Sequence, residues 1–117
     1  MGFSLLTACD QAPRVHRAAD DCGAALASLT VEVLSADGAR IRGATVTGTN
    51  VASNVSITGV TDDQGISTAI NESLAPSPVR VVATAGAKVS APQQVEWRCD
   101  ACNCRPEPAT LQLQLNP

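Results

Sequence analysis

From Ser28 onward the chain alternates between apolar and polar residues with a period of two. The alternation is clearest in two segments, where apolar residues fall at every second position: Leu29, Val31 and Val33, then Leu111, Leu113 and Leu115. A period of two puts successive side chains on opposite faces of a β-strand. Shorter apolar segments between them, bounded by Gly, Pro, Asp or Asn, are 44–49, 54–60, 66–70, 79–85 and 88–97, the last interrupted at Pro92. The pattern predicts about seven short strands.

Short strands separated by turns, without a convincing helix, are typical of two packed sheets. We predict an all-β fold, an antiparallel Greek-key β-sandwich of about seven strands, over residues 28–117. The predicted core consists of the residues that the alternation points inward: Leu29, Val31, Val33, Val46, Val55, Ile57, Ile66, Ile70, Val79, Val81, Val89, Val95, Leu111, Leu113 and Leu115. The whole chain has one Phe, one Trp and no Tyr. A small core without aromatic bulk often needs covalent support.

The first 27 residues have a different character. Leu6-Thr7-Ala8-Cys9 resembles the lipobox of bacterial lipoproteins, in which an aliphatic residue and two small residues precede the cysteine that is lipidated. We therefore predict a lipoprotein signal remnant over residues 1–8, lipidation at Cys9, and a lipidated tether over residues 9–27. No Lys or Arg precedes the apolar run, although a complete secretory signal begins with a charged segment.

Four further cysteines form a lone Cys22 and a cluster of Cys99, Cys102 and Cys104. Exported proteins keep disulfides, and four cysteines allow three pairings. Pairing Cys102 with Cys104 would close a small strained ring. The two remaining pairings join Cys22 to Cys102 or Cys104, and Cys99 to the other. Either one would attach the tether to the segment before the last strand, and closing so long a loop would stabilise the fold by roughly 4 kcal/mol.

The same thiols suggest two other sites. All four could form a Cys₄ zinc site, but structural zinc sites usually combine two closely spaced pairs and Cys22 has no near companion. Cys99-Asp100-Ala101-Cys102 could be a redox CxxC motif, but no βαβ pattern surrounds it. A disulfide staple is the favoured interpretation of the cluster.

Catalytic and metal-binding constellations are weak in this sequence. The one histidine, His16, lies in the predicted tether, where it could not hold hydrogen-bond geometry to a nucleophile. Asp62 and Asp63 precede Gly65 in a turn-like segment and could share calcium with Asp37, but a β-turn is the commoner explanation. We predict no catalytic residues, no metal and no cofactor.

A family resemblance covers residues 29–85. Its motifs are Ala36-Asp37-Gly38 after the first strand, Gly43-Ala44-Thr45-Val46, and Thr61-Asp62-Asp63-Gln64-Gly65. This order resembles the carboxypeptidase regulatory-like domains, which are transthyretin-like sandwiches related to bacterial Ig-like domains. The family usually has Gly-x-Tyr before the next strand, where this chain has Ser77-Pro78-Val79. The resemblance implies a non-catalytic binding or supporting module.

The formal net charge is −3 and the eight Lys and Arg are scattered, which disfavours nucleic-acid binding. We therefore predict a non-catalytic envelope protein, held at the membrane by an N-terminal lipid on the periplasmic or cell-surface side. Its sandwich would bind an envelope protein partner or support an assembly. The alternatives are a carbohydrate- or peptide-binding module and a zinc or thiol-redox protein that uses the cysteine cluster.

Overall fold

The computed structural model describes residues 25–117, and Cys9, His16 and Cys22 lie outside the described residues. The described part is an all-β sandwich of nine strands: β1 Thr30–Leu34, β2 Thr45–Asn50, β3 Ser56–Val60, β4 Ile66–Ser67, β5 Val79–Ala85, β6 Lys88–Val89, β7 Gln93–Cys99, β8 Cys104–Glu107 and β9 Thr110–Gln114. One short 3₁₀ helix, Glu72–Leu74, lies between β4 and β5. No helix in this part is long and apolar enough to span a membrane.

The strands form two sheets. The smaller sheet has the order β4-β1-β9, and the larger sheet has the order β3-β2-β5-β7-β8, with β6 also paired to β5. The predicted two-sheet sandwich is confirmed, with nine strands rather than about seven. All pairs are antiparallel except β1 and β9, which run parallel. The alternation could not show this, because it assigns residues to a face and not to a neighbouring strand.

The sequence predicts one interrupted strand over residues 88–97, and the structure has β6 and β7 along β5 with a break between them, β7 extending to Cys99. β6 pairs with the end of β5 and β7 pairs with its beginning. Between them, Ser90 keeps contact with β5, because its main-chain N–H and its hydroxyl both bond to Ala83, at 2.9 Å in each case. Ser90 also forms a bridge with Leu115, which joins the two sheets along this side.

The core lies between the sheets, and most of the predicted inward residues are buried. Eleven of the fifteen, all except Val55, Ile57, Ile66 and Val89, belong to the core, together with Ala44, Leu74, Ala83 and Trp97. Trp97 is only 8% exposed and packs in this cluster, against which Cys104 also packs.

Four of the predicted core positions are wrong or only partly right. Val55 and Val89 are 56% and 40% exposed, since Val55 precedes β3 and β6 is only two residues long. Ile66 is half-buried because its neighbour Ser67 takes the inward position in β4. Ile57 is partly buried and packs against the core from the inner face of β3.

Gly59 brings β3 close to the smaller sheet. A Cβ on this residue would lie 2.8 Å from the Ser67 hydroxyl and would overlap the Ala69 methyl group. Only a glycine permits this approach, so the inner face of β3 is tightly seated.

Candidate functional site

The cysteine cluster forms the end of a β-hairpin. Cys99, the last residue of β7, and Cys104, the first of β8, are opposite each other in the ladder and are joined by a disulfide. Between them, Asp100 Oδ1 accepts hydrogen bonds from the N–H groups of Cys102 and Asn103, both at 2.8 Å. These bonds hold the pKa of Asp100 below its ordinary value, and the bond from Asn103 contributes more than the bond from Cys102.

Glu72 connects this hairpin to the start of the sandwich. Its carboxylate accepts bonds from Asn103 Nδ2 at 2.7 and 2.9 Å, from the Cys104 N–H at 3.1 Å and from the Ala27 N–H at 3.1 Å. Its own N–H donates to the Ala27 carbonyl at 2.9 Å. The Asn103 amide and then the Ala27 N–H lower the pKa of Glu72. The carboxylate therefore holds the residues before β1 against the hairpin.

The disulfide agrees with one of the two pairings that the sequence leaves for Cys99. Cys102 is disulfide-bonded as well, and Cys22 lies outside the described residues. A CxxC dithiol would join Cys99 to Cys102, and a Cys₄ zinc site would need all the thiols as free thiolates. The observed pairing favours the staple over both.

The described chain begins beside β8. Besides the contacts of Ala27, the carbonyl of Ala25 accepts a bond from Asn103 Nδ2 at 3.3 Å. In the larger sheet, β8 and β3 are at opposite ends of the strand order. Four inter-strand spacings of about 4.8 Å separate them, or about 19 Å. The edge of β3 is therefore the side of this sheet farthest from the residues that precede β1.

The edge of β3 carries unpaired backbone groups. At one end of the β2–β3 ladder the Asn50 N–H bonds to the Val55 carbonyl, and at the other end the Thr61 N–H bonds to the Ala44 carbonyl, both at 2.9 Å. The odd-numbered residues from 55 to 61 therefore direct their backbone groups toward β2. Backbone groups alternate in direction along an antiparallel strand. The N–H and C=O groups of Ser56, Thr58 and Val60 therefore point away from β2, and β3 pairs with no other described strand.

The opposite edge of this sheet, β8, offers no free N–H donor at its outward positions. Because Asp100 N–H bonds to the Asn103 carbonyl in the hairpin, the backbone groups of Cys104 and Pro106 face outward. The N–H of Cys104 is bonded to Glu72, and proline has no N–H to donate.

The edges of the smaller sheet are also restricted. At the edge of β9, the Gln112 carbonyl accepts a bond from Gln93 Nε2 at 3.3 Å and the Asn116 N–H donates to the Val89 carbonyl at 2.9 Å. The other edge strand, β4, has only two residues. Two edge strands in residues 25–117 have five residues: β9 has its Gln112 carbonyl bonded by Gln93, whereas the outward backbone groups of β3 have no such contact.

The outer face beside this edge is rich in hydroxyl groups. Thr47 and Thr58 hydroxyls lie 3.4 Å apart, and Thr49 and Ser56 hydroxyls lie 2.8 Å apart. Both pairs occupy the positions of the β2–β3 ladder where side chains approach most closely. The hydroxyl pairs fasten β3 to β2 and leave an uncharged surface at the edge.

A cavity of about 490 Å³ lies where β5 ends, beside the residues that follow β1 and β9. Its floor is apolar, with Ile41, Ala85 and Leu115, and Asp37 and Lys88 stand at its rim. The Ser35 hydroxyl donates to the Asp37 carboxylate and holds its pKa below the ordinary value. The cavity could accept an apolar side chain flanked by polar groups.

Asp62 and Asp63 have structural roles. Asp62 Oδ1 accepts bonds from the N–H groups of Gln64 at 2.8 Å and Ile66 at 3.0 Å, and Gly65 completes the turn with a φ of 74°. Asp63 pairs with Arg42 at 3.1 Å. Within residues 25–117, no three His, Cys, Asp or Glu side chains are grouped so as to hold a metal ion.

No protein-family model matches the chain, and no curated protein sequence matches it either. The resemblance to carboxypeptidase regulatory-like domains therefore depends on the turn motifs alone. The three glycines of these motifs are in the left-handed region, with a φ of 94° at Gly38, 80° at Gly43 and 74° at Gly65.

Sequence reasoning singled out the cysteine cluster, with Cys99–Cys104 among its possible disulfides, and missed the β-hairpin and the other parts of the site. Glu72 and Asn103 carry no local signal, since they are 31 positions apart and meet only in the folded chain. The open edge was not predicted either, although one signal was available: Ser56–Val60 contains no charged residue and no proline.

Proposed function

We propose that the chain is a non-catalytic, lipid-anchored protein of the bacterial cell envelope whose β-sandwich binds a protein partner, or supports an envelope assembly, through the edge of β3. The observation that carries the proposal is this uncovered edge. An extended segment of a partner adds to such an edge through main-chain hydrogen bonds, and the neighbouring side chains supply specificity.

The placement of the edge supports this function. A lipid on Cys9 would hold the membrane end of the protein on the side where the described chain begins, which is the β8 side. The edge of β3 would then be presented away from the anchor. The Glu72 contacts support this direction, because they join Ala27 to the hairpin on the β8 side.

The chemistry of the edge supports it as well. Natural proteins protect long edge strands with charges, prolines or bulges, because an open edge recruits other strands. β8 has such protection, whereas Ser56–Val60 has none. Val60 is 62% exposed on this strand, so a partner would also cover apolar surface.

Site-specific photo-crosslinking in intact cells tests the docking surface. A photoreactive residue at Thr58 should give one discrete adduct, whereas the same residue at Thr84, on the outer face of the interior strand β5, should give none. Val60→Lys should remove the Thr58 adduct, because a charged lysine on an edge strand disfavours the addition of a partner strand. Equal adducts from both positions, or none from Thr58, would refute the proposed docking surface.

The anchor is tested separately. Cys9→Ser should move the protein from the membrane fraction to the soluble fraction, and the wild-type protein should carry the mass of an acylated cysteine. An unmodified Cys9 in membrane-bound protein would contradict the lipoprotein assignment.

The cavity favours a second candidate, a peptide-binding module. Its apolar floor and the opposite charges of Asp37 and Lys88 at its rim suit a short peptide with one apolar side chain. Ala36→Trp, at an exposed residue of the lining, would fill the cavity and should abolish peptide binding there without affecting the Thr58 adduct.

A further inference from the structure

The geometry of the β3 edge points to its occupant: we propose that a second copy of this chain pairs there, β3 against β3, antiparallel and centred on Thr58. This inference depends on the proposed use of the edge for docking and names the partner.

The backbone groups suit this pairing. A twofold axis perpendicular to the sheet at Thr58 would place Thr58 opposite its own copy and Ser56 opposite Val60. These three residues have outward N–H and C=O groups. Each opposing pair would therefore exchange both of its backbone hydrogen bonds, as hydrogen-bonded antiparallel pairs do. Closed dimers with twofold symmetry are the commonest homo-oligomers.

The charges also suit it. The paired strands contain no ionisable side chain, so no charge is buried without a partner. Asp62 follows β3, and the uncharged turn 51–54 precedes it. Antiparallel pairing would bring Asp62 of one copy beside Asn54 of the other. The net charge of −3 is therefore not concentrated where the copies meet.

β3 is already ordered as a strand by its contacts with the rest of the sandwich. Gly59 seats its inner face on the smaller sheet, and the Thr47–Thr58 and Thr49–Ser56 hydroxyl pairs fasten its outer face to β2. Only a five-residue edge would be shared. Interfaces below about 1,200 Å² are weak or transient, so the expected dissociation constant is micromolar to millimolar.

A charge-exchange experiment tests the self-pairing. The full chain is prepared with Cys9→Ser, so that this thiol cannot link two copies, and is followed by sedimentation equilibrium from roughly 10 µM to 1 mM, the range expected for such an interface. Thr58→Lys and Thr58→Glu should each weaken dimerisation by at least about tenfold, because like charges would face each other across the axis. Their equimolar mixture should dimerise as well as the wild type. Only an interface in which Thr58 faces itself gives this rescue.

Thr84→Lys is the matched control, since it adds the same charge to the outer face of an interior strand, and it should leave dimerisation unchanged. The proposal is overturned if the wild type stays monomeric throughout, if the mixture behaves like either variant alone, or if Thr84→Lys weakens dimerisation equally. A monomeric wild type that still gives a Thr58 adduct of another mass in cells would retain the docking edge and exclude the second copy. Loss of the adduct as well would refute both.

Discussion

Thr61, the residue after β3, offers the sharpest test of how the edge strand is held. It is 4% exposed, and its hydroxyl donates to the Ile41 carbonyl at 2.6 Å and accepts from the Ala44 N–H at 2.9 Å. The Thr61 carbonyl accepts a bond from the Gly43 N–H, and the Thr61 N–H donates to the Ala44 carbonyl. Two residues, Gly43 and Ala44, therefore lie opposite the single residue Thr61, which is a β-bulge. Thr61 thus fixes the register of β3 on β2, and with it the backbone groups that point outward.

Thr61→Val removes the hydroxyl and keeps the shape of the side chain. The hydrogen bond to the Ile41 carbonyl, worth about 1 kcal/mol, is lost. The Ala44 N–H, at a fully buried residue, also loses its side-chain acceptor, which costs about 1–3 kcal/mol when nothing replaces it. We therefore expect the free energy of unfolding to fall by about 2–4 kcal/mol. Strand propensity would act in the opposite direction, because valine is at least as favourable as threonine in strands.

Thr61→Ser is the matched control. It keeps both hydroxyl bonds and deletes one methyl group, so it should cost about 1 kcal/mol. Both variants can be measured by urea unfolding followed by the fluorescence of Trp97, the only tryptophan and a core residue. A loss below about 1 kcal/mol in Thr61→Val, or equal losses in the two variants, would show that the hydroxyl bonds do not hold the strand.

Three further predictions concern the hairpin, the carboxylate beside it and the seating of β3. Replacing both Cys99 and Cys104 by alanine should lower the free energy of unfolding by about 2 kcal/mol in urea titrations, since the disulfide closes a short loop; an unchanged midpoint would contradict this. The lowered pKa of Glu72 means that its stabilisation is complete above its ordinary pKa and is lost as pH falls through the lowered value. The wild type should therefore lose more stability than Glu72→Gln between neutral pH and about pH 3, and parallel pH profiles would refute the role of the carboxylate. Gly59→Ala should cost about 1–3 kcal/mol by overpacking against Ala69, and a neutral effect would show that β3 is loosely seated.

Sequence periodicity predicted the strands whose two faces differ most in polarity. β1 and β9 alternate cleanly between buried and less buried residues, and β5 has the bounds 79–85 that the sequence predicts. The Asp-Gly and Asp-x-x-Gly turns were predictable because their glycines adopt positive φ.

Other features were not predictable because they depend on long-range pairing. β8 was missed because its sequence, Cys-Arg-Pro-Glu, has no alternation and contains a proline. Its pairing with β7 arises from the hairpin that the disulfide closes. The parallel contact of β1 with β9 and the convergence on Glu72 join residues far apart in the chain, about which local patterns carry no information. Whether a strand is interior or an edge is likewise decided by the assembled sheet.

Amide hydrogen exchange along β3, measured by NMR on the full-length protein, tests the open edge most directly. In dilute solution the amides of Ile57 and Gly59, which point toward β2, should exchange slowly, and those of Ser56, Thr58 and Val60 should exchange fast. At high concentration the second group should become protected as well, because a second copy then covers the edge. Slow exchange of all five amides in dilute solution would show that the edge is already covered. Fast exchange of Ser56, Thr58 and Val60 at every concentration would contradict the pairing of two copies.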